Sequence, residues 1–220
     1  MNPPARKGRF VVLEGIDGAG TTTQAALAAK NLRAEGLSVW ETREPSDGPI
    51  GTLARQALKG RLGLPAFTGG LTERTLALMF AADRLDHLEA EILPSLRRGE
   101  VVICDRYLLS SLAYQGATCP IEWVEQINAG AISPDLTLFL DVGLETAARR
   151  RAARGGHEEI FEGADRQRRV SRQYDLAIRR LQKRERIVRI AGDRPPEEVA
   201  GEVLKAIRKS LPRVARVALR

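Results

Sequence analysis

The chain has few of the residues that are typical of secreted, membrane-spanning or base-stacking proteins. Aromatic residues make up 5% of its 220 residues, and it contains only two cysteines and two histidines. Cys104 and Cys119 lack metal-ligand spacing and fit a reducing compartment. No apolar run is long enough to span a bilayer, and no apolar segment follows the first basic residues as in a secretory signal. These absences predict a cytoplasmic protein without a membrane anchor.

Positive charge is abundant, with a formal net charge of +7. Such a balance suits either a nucleic-acid binder or an enzyme for highly anionic small substrates. The basic residues cluster at 149–154, 166–172 and 208–220, and aromatic residues are not interleaved with them. Base-stacking platforms are therefore poorly supported, and we expect no specific nucleic-acid partner.

Short apolar runs alternate with longer helical patterns along the whole chain. Strands are predicted at 9–14, 38–42, 100–104, 136–141 and 186–191. Helices are predicted at 21–35, 51–58, 71–97, 108–116, 121–129, 164–185 and 195–210. This alternation predicts an α/β protein with a doubly wound parallel sheet of five strands flanked by helices. We expect residues 1–220 to form a single domain with a lid at about 143–165.

A glycine-rich loop follows the first predicted strand, and it lacks one expected residue. Gly15, Gly20 and Thr22 fit the phosphate-loop pattern G-x-x-x-x-G-K-[ST], but Thr21 stands where lysine is expected. Backbone N–H groups and a following helix can hold a polyphosphate without that side chain. A hydroxyl at the position of Thr22 usually reaches Mg²⁺. The missing lysine predicts that another part of the chain neutralises the phosphate charge.

Charged residues also follow the second and third predicted strands, where ligands collect in this kind of sheet. Arg43 and Glu44 follow the second, although such a pair can also be a structural ion pair. Asp105 and Arg106 follow the third, and an acid beside a phosphate loop often acts on Mg²⁺ directly or through water.

An aromatic ring and a guanidinium share one face of the long helix predicted at 71–97. Phe80 and Arg84 are four residues apart. This combination suits a nucleotide base with a phosphate nearby, but it can also be a core residue beside a salt bridge.

Together these segments resemble the thymidylate kinase family, P-loop enzymes that move a phosphoryl group from ATP to dTMP. The resemblance rests on five motifs that occur in order: residues 14–20 (EGIDGAG), 42–45 (TREP), 80–84 (FAADR), 105–107 with 113–116 (DRY and AYQG), and 134–141 (PDLTLFLD). It implies a P-loop NTPase-type three-layer fold, ATP and dTMP as substrates, Mg²⁺ as cofactor, and a homodimer. The product, dTDP, leads to dTTP for DNA synthesis.

The resemblance also implies a role for individual residues. The ATP phosphates are expected on Gly15, Ile16, Asp17, Gly18, Ala19, Gly20, Thr21, Thr22 and Thr23, and Mg²⁺ near Thr22 and Asp105. The residues expected to bind dTMP are Asp17, Arg43, Phe80, Arg84, Arg106, Ser111, Tyr114 and Gln115. In this set, Phe80 stacks on thymine, Arg84 and Ser111 read its edge, and Tyr114 closes on the deoxyribose. Catalytic roles fall to Asp17, Arg43, Glu44, Arg106, Arg150 and Arg154.

Thr21 is the clear departure from the family pattern, and the lid offers a replacement for the lost charge. Our hypothesis is that Arg150, Arg151 or Arg154 supplies the cation. The alternative is that these arginines are an exposed basic helix end. His87 and His157 are given no catalytic role.

Two other functions are compatible with the sequence. One is a kinase for another pyrimidine nucleotide, such as dUMP or dCMP, because the pocket width cannot be derived from sequence. The other is a catalytically impaired nucleotide-binding or nucleic-acid-associated protein, which would account for the missing lysine and the positive charge.

Overall fold

The computed structural model describes residues 8–60, 62, 73–153 and 163–211. The strands are β1 (Arg9–Glu14), β2 (Val39–Arg43), β3 (Val101–Asp105), β4 (Leu136–Asp141) and β5 (Ile187–Ala191). The helices are α1 (Thr21–Ala34), α2 (Pro49–Leu58), α3 (Glu73–His87), α4 (Leu93–Arg97), α5 (Leu108–Tyr114), α6 (Ile121–Ile127), α7 (Leu144–Ala153), α8 (Ala164–Leu181) and α9 (Pro196–Ser210). Each of the five predicted strands is present, with bounds that differ by at most one residue.

The five strands form one parallel sheet in the order β2-β3-β1-β4-β5. Strand β1 lies at the centre, where Val11 pairs with Ile103 of β3 and with Leu136 of β4. The strands β1, β3 and β4 are almost wholly buried, since helices cover both faces of the sheet. The predicted α/β fold with a parallel five-stranded sheet is therefore confirmed. A crevice lies at the carboxyl end of β1, because the connections that leave the neighbouring strands there run to opposite faces of the sheet.

Small side chains let the helices on one face pack closely. Helix α1 buries Ala25, Ala28 and Ala29 and packs against α9, whose buried residues include Val203 and Ile207. On another side of the sheet, α5 packs against α8. Each layer thus presents the start of a helix, or the loop before it, to the crevice.

The long helix predicted at 71–97 is not continuous, which corrects the sequence prediction. Helix α3 begins at Glu73 among the described residues, and a π-helical turn, Leu88–Ile92, separates it from α4. Pro94 explains the change, because it has no N–H to donate to the carbonyl of Ala90. The first part of the predicted lid is helix α7, and residues 154–162 lie outside the described part of the chain. None of the described helices is long and apolar enough to cross a membrane.

Candidate functional site

The glycine-rich loop joins β1 to α1 and has the geometry of an anion site. Gly18 and Gly20 adopt positive φ angles of 91° and 96°, which favour glycine. Gly20 is the N-cap of α1, and no side chain caps this helix and no acidic residue occupies its first turn. The free N–H groups and the helix dipole therefore remain available to a phosphate. Gly15 must also be small, because a Cβ there would lie 2.7 Å from Cβ of Ala19.

Thr21, which replaces the expected lysine, is turned into the protein. Its side chain is buried, with 4% of the residue exposed. Its Cγ2 would lie 3.5 Å from a Cβ placed on Gly15, within the loop itself. In contrast, Thr22 and Thr23 are exposed. The loop therefore carries no cationic side chain of its own.

Thr22 and Asp105 come together across the crevice. The hydroxyl of Thr22 donates a hydrogen bond of 2.5 Å to Oδ2 of Asp105. The other carboxylate oxygen, Oδ1, is buried without a hydrogen-bond partner among the described atoms. A free carboxylate oxygen beside a hydroxyl suits Mg²⁺, which takes one or two protein oxygens and otherwise substrate phosphates and water. No cluster of three or more His, Cys, Asp or Glu suited to a metal occurs in the described ranges.

A cavity of about 180 Å³ lies on the other side of Asp105, below the phosphate loop. It is lined by Asp17, Arg43, Glu44, Pro45, Leu58, Phe80, Arg84, Asp105, Arg106, Tyr107, Ser110, Ser111, Tyr114 and Gln115. All eight residues that the sequence assigns to dTMP are in this set. The structure brings them together from four separate segments of the chain, while their individual roles stay predictions.

Arg84 is at the centre of a buried polar network on the cavity wall. The arginine is 2% exposed, and its Nη2 donates to Oε2 of Glu44 at 2.7 Å and to Oγ of Ser111 at 3.0 Å. Its Nη1 donates to the side-chain oxygen of Asn128. The Nε–H group has no partner among the described atoms, so it is a donor that a ligand could use. Asn128 was missed by the sequence analysis, since a lone Asn after a short helix carries no signal.

The position of Arg106 links the cavity to the phosphate loop. Its backbone has a positive φ of 70°, a strained conformation for a residue with a side chain and one that is common at functional sites. The guanidinium donates to Oδ1 of Asp17 at 2.7 Å and to the carbonyl of Gly15 at 3.0 Å. Gln167 of α8 donates to the other oxygen of Asp17 at 2.9 Å. The carboxylate of Asp17 is thus fixed between loop and cavity.

Two tyrosines in this region stay protonated. Burial raises the pKa of Tyr114 well above its usual range, although the nearby Arg106 acts in the opposite direction. The Tyr174 hydroxyl donates to the carbonyl of Gly15 at 3.0 Å, and burial likewise raises its pKa. Both hydroxyls can therefore act as hydrogen-bond donors at neutral pH.

Glu14, the last residue of β1, is a further polar residue of the site that was assigned no role from sequence. It is fully buried and accepts hydrogen bonds from the backbone N–H of Tyr107 at 2.9 Å and from the hydroxyl of Ser110 at 2.6 Å. Burial raises its pKa from 4.5 to about 7, although Ser110 and Arg106 act in the opposite direction. Through its hydrogen bonds to Tyr107 and Ser110, Glu14 holds the turn that carries Arg106. In the sequence, the signal that could have identified Glu14 is its place as an acidic residue at the end of an apolar strand.

Helix α7 lies directly against the phosphate loop. A Cβ on Gly18 would be 2.3 Å from the carbonyl oxygen of Ala147, so only glycine allows this approach. Arg151 donates from Nη1 to the carbonyl of Asp17 at 2.5 Å. Arg150 donates to the carbonyls of Ala19 at 3.3 Å and Gly192 at 2.9 Å. Two lid arginines are thus in contact with or beside the loop, whereas Arg154 lies outside the described residues.

Arg43 is the most exposed of the predicted acceptor-side cations. Its side chain is 55% exposed, and Nη2 donates to Oδ1 of Asp47 at 2.8 Å. That hydrogen bond lowers the pKa of Asp47, with a smaller contribution from Arg55. Arg43 can exchange this surface partner for a phosphate, because an exposed ion pair contributes little free energy.

A second cavity, of about 280 Å³, lies on the outer side of the loop. It is lined by Ala19, Gly20, Thr23, Gln24, Arg150, Ala153, Gly192, Arg194, Pro196 and Val199. It joins the phosphate loop to α7 and to the turn between β5 and α9. Gln24 and the residues at 192–199 were not predicted, because nothing in their local sequence indicates a ligand.

The sequence matches known proteins along most of its length. The family model described as thymidylate kinase matches residues 13–203. A probable thymidylate kinase from Pyrococcus abyssi is 42% identical over 208 residues, which cover 93% of this chain and 98% of the relative. One from Pyrobaculum aerophilum is 42% identical over 202 residues, with 91% and 96% covered. One from Caldivirga maquilingensis is 38% identical over 200 residues, with 90% and 92% covered.

Proposed function

We propose that this chain, which belongs to the thymidylate kinase family, phosphorylates dTMP to dTDP with ATP as donor. The observation that carries the proposal is the position of Asp17. Its backbone is part of the phosphate loop, and its carboxylate lines the inner cavity, where Arg106 holds it at 2.7 Å. A donor on the loop and an acceptor in the cavity would therefore meet at one residue. The product belongs to the biosynthesis of dTTP.

The inner cavity is proposed to hold dTMP. Phe80 lies on its wall and would stack on thymine, while the free Nε–H of Arg84 would donate to the base. Ser111 and Gln115 would contact the polar edge of thymine, and the protonated Tyr114 would close on the deoxyribose.

The donor is proposed to lie with its phosphates on residues 15–23 and its base in the outer cavity. Arg150 lines that cavity and the loop together, so it can reach both the nucleotide and its phosphates. Arg154, four residues further along the sequence and outside the described residues, stays a candidate for a second cation. Arg151 would supply the charge that Thr21 cannot, because its guanidinium already lies on the loop backbone.

Phosphoryl transfer requires positioning and charge neutralisation rather than a strong base, since the acceptor is already a phosphate. Arg43 and Arg106 would hold the acceptor phosphate from two sides of the cavity. Glu44 and Ser111 hold Arg84 within the wall, because both accept hydrogen bonds from its Nη2. Asp17 keeps Arg106 in place through the transfer.

Thr22 and Asp105 are the residues that would hold Mg²⁺. When bound, the ion would neutralise charge on the donor phosphates. The fit rests on the unpartnered Oδ1 of Asp105 beside the Thr22 hydroxyl. Asp105 also lines the inner cavity, beside the proposed acceptor.

A homodimer is proposed through the outer face of α3. Leu78 and Leu85 are seven residues apart on this helix and are 50% and 43% exposed. Leu53 of α2, which packs against α3, is also 45% exposed. Sedimentation equilibrium tests this: we expect a dimer for the native chain and a monomer for Leu78→Glu.

The decisive experiment is an ADP-release assay with ATP, Mg²⁺ and each of dTMP, dUMP, dCMP and dGMP. Turnover with dTMP in clear preference to the other acceptors is expected. Phe80→Ala should raise KM for dTMP at least tenfold, while Arg74→Ala, an exposed position on the same helix that lines neither cavity, serves as the matched control. Equal turnover with dUMP would indicate a broader pyrimidine kinase. Binding of both nucleotides without turnover would indicate an impaired enzyme.

A further inference from the structure

His87, at the end of α3, is a buried histidine outside both nucleotide cavities. It is 1% exposed, and none of its atoms lines the inner or the outer cavity among the described residues. It lies one turn after Arg84 on the same helix and just before the π-helical turn Leu88–Ile92. Such turns are frequent at functional sites. Burying an imidazole is costly unless both ring nitrogens are satisfied, so its partners are informative.

One ring nitrogen contacts Thr42, near the end of β2, and the other faces Glu44, which follows the strand. Nε2 lies 2.7 Å from Oγ1 of Thr42, and Nδ1 lies 3.4 Å from Oε1 of Glu44. A carboxylate can only accept hydrogen bonds, so the tautomer that satisfies both contacts carries its proton on Nδ1. That proton points to Glu44, and Nε2 shares a hydrogen bond with the Thr42 hydroxyl.

Glu44 is therefore held by two residues of α3, one at each oxygen. Arg84 donates to Oε2 at 2.7 Å, and His87 faces Oε1. With one oxygen released, the carboxylate could rotate about its last torsion angle. Its rotation would move Nη2 of Arg84, which is shared with Ser111 at 3.0 Å. Because Arg84 and Ser111 line the acceptor cavity, a change at His87 is transmitted to the cavity wall.

The remaining charged groups around His87 lie on the outer side of the network. Glu91, one turn along the helix, has Oε2 at 3.6 Å from Nε2, and the same oxygen is 3.4 Å from Oγ1 of Thr42. Asp83 faces away and accepts instead from the backbone N–H of Ser46 at 2.8 Å. Glu44 is thus the carboxylate that connects His87 to the cavity.

We propose that His87 is a positioning residue for recognition of the acceptor nucleotide. It holds Glu44, which in turn orients Arg84 in the wall of the inner cavity. This role rests on the proposed function of the inner cavity as the acceptor site. His87 touches neither substrate, so its loss should weaken acceptor binding without slowing the transfer itself.

Three variants and one control test this role. His87→Ala removes both contacts, whereas His87→Asn places an amide near the position of Nδ1 and His87→Gln near that of Nε2. We expect His87→Ala to raise KM for dTMP about tenfold, with kcat within about twofold and KM for ATP unchanged. His87→Asn should recover most of the affinity and His87→Gln little of it. Ile92→Val, a buried change in the following π-helical turn, should leave both KM values unchanged.

Direct titration of each protein with dTMP, dUMP and dCMP in the absence of ATP completes the test. A parallel loss of ATP and acceptor affinity, or equal behaviour of the Asn and Gln variants, would overturn the positioning role. Unchanged acceptor affinity in His87→Ala or, if that variant does not fold, in His87→Gln would overturn it as well. If the native chain binds none of the three acceptors, the proposed acceptor site is wrong. This outcome is distinct from a failure of the His87 role, because it is measured on the native protein and not on the variants.

Discussion

Arg151 donates a hydrogen bond from Nη1 to the backbone carbonyl of Asp17 over 2.5 Å. A cation from helix α7 thus rests on a phosphate loop that has no lysine. A loop carbonyl carries partial negative charge, which would oppose a bound phosphate. An arginine on that oxygen would offset this partial charge and would add positive charge beside a phosphate bound on the loop.

Removal of this cation should impair catalysis. We expect Arg151→Ala to lower kcat with ATP and dTMP at least tenfold, about 1.4 kcal/mol of transition-state stabilisation. Arg149→Ala is the matched control, because Arg149 is an exposed arginine on the same helix and makes none of the described loop contacts. Equal rates for the two variants would mean that these arginines are a solvated helix end.

Restoring the lysine provides a complementary test. If Arg151 replaces the charge lost at Thr21, then Thr21→Lys alone should increase kcat less than threefold, since the site already holds a cation. In the Arg151→Ala background the same change should recover most of the lost rate. A large gain from Thr21→Lys alone would reveal a native enzyme that is impaired. Steady-state rates of the four proteins form a double-mutant cycle that isolates the coupling.

The contact between Thr22 and Asp105 predicts a specific metal dependence. Thr22→Val removes the hydroxyl but keeps the shape of the side chain, whereas Thr22→Ser keeps the hydroxyl. The Val variant should need about tenfold more Mg²⁺ for half-maximal rate, and the Ser variant about the native concentration. The measurement is a Mg²⁺ titration at saturating nucleotides. A shared midpoint for all three proteins would exclude Thr22 from the metal site.

The close approach of α7 to the loop predicts an unusually costly glycine substitution. Gly18→Ala adds a methyl group 2.3 Å from the Ala147 carbonyl at a φ of 91°. Gly36→Ala has a similar φ of 84° but no atom within 4 Å, so it measures the backbone cost alone, about 1 kcal/mol. Gly18→Ala should lose more stability in chemical denaturation and should also raise KM for ATP. Equal losses would indicate that α7 moves away without cost.

Glu14 predicts a pH dependence of stability. Its pKa is raised from 4.5 to about 7 in the folded protein, chiefly by burial. The protonated form is therefore favoured by folding, so its contribution is complete below pH 4.5 and is lost as the pH rises through about 7. The total change is about 3 kcal/mol.

Glu14→Gln is the comparison that isolates this effect, because it stays neutral at every pH. The stability of the native protein should fall relative to that of the variant between about pH 5 and pH 8. Burial also raises the pKa of Asp83, but that group is common to both proteins and cancels in the difference. Parallel denaturation midpoints across this range would show that Glu14 titrates normally.

The strands, the phosphate loop and the residues around the inner cavity could be predicted because each depends on local sequence. Five apolar runs of strand length, separated by helical patterns, admit few arrangements other than a parallel sheet. The family motifs then predicted the residues of the acceptor side, and Phe80, Arg84 and Tyr114 do line one cavity. The break in the helix at 71–97 could have been predicted from Pro94, which lacks a backbone donor.

Other features depend on distances that no local pattern encodes. The contact of Arg151 with Asp17 spans 134 residues, and that of Gln167 with Asp17 spans 150. The sequence by itself determined the fold, the family and the absence of a lysine at position 21. Only the tertiary structure decided which arginine lies on the loop and which atoms hold Glu44. The lid arginines are chemically equal in the sequence. Which of them contacts the loop depends on the direction of each side chain and on how α7 packs, and both are set by the folded chain as a whole.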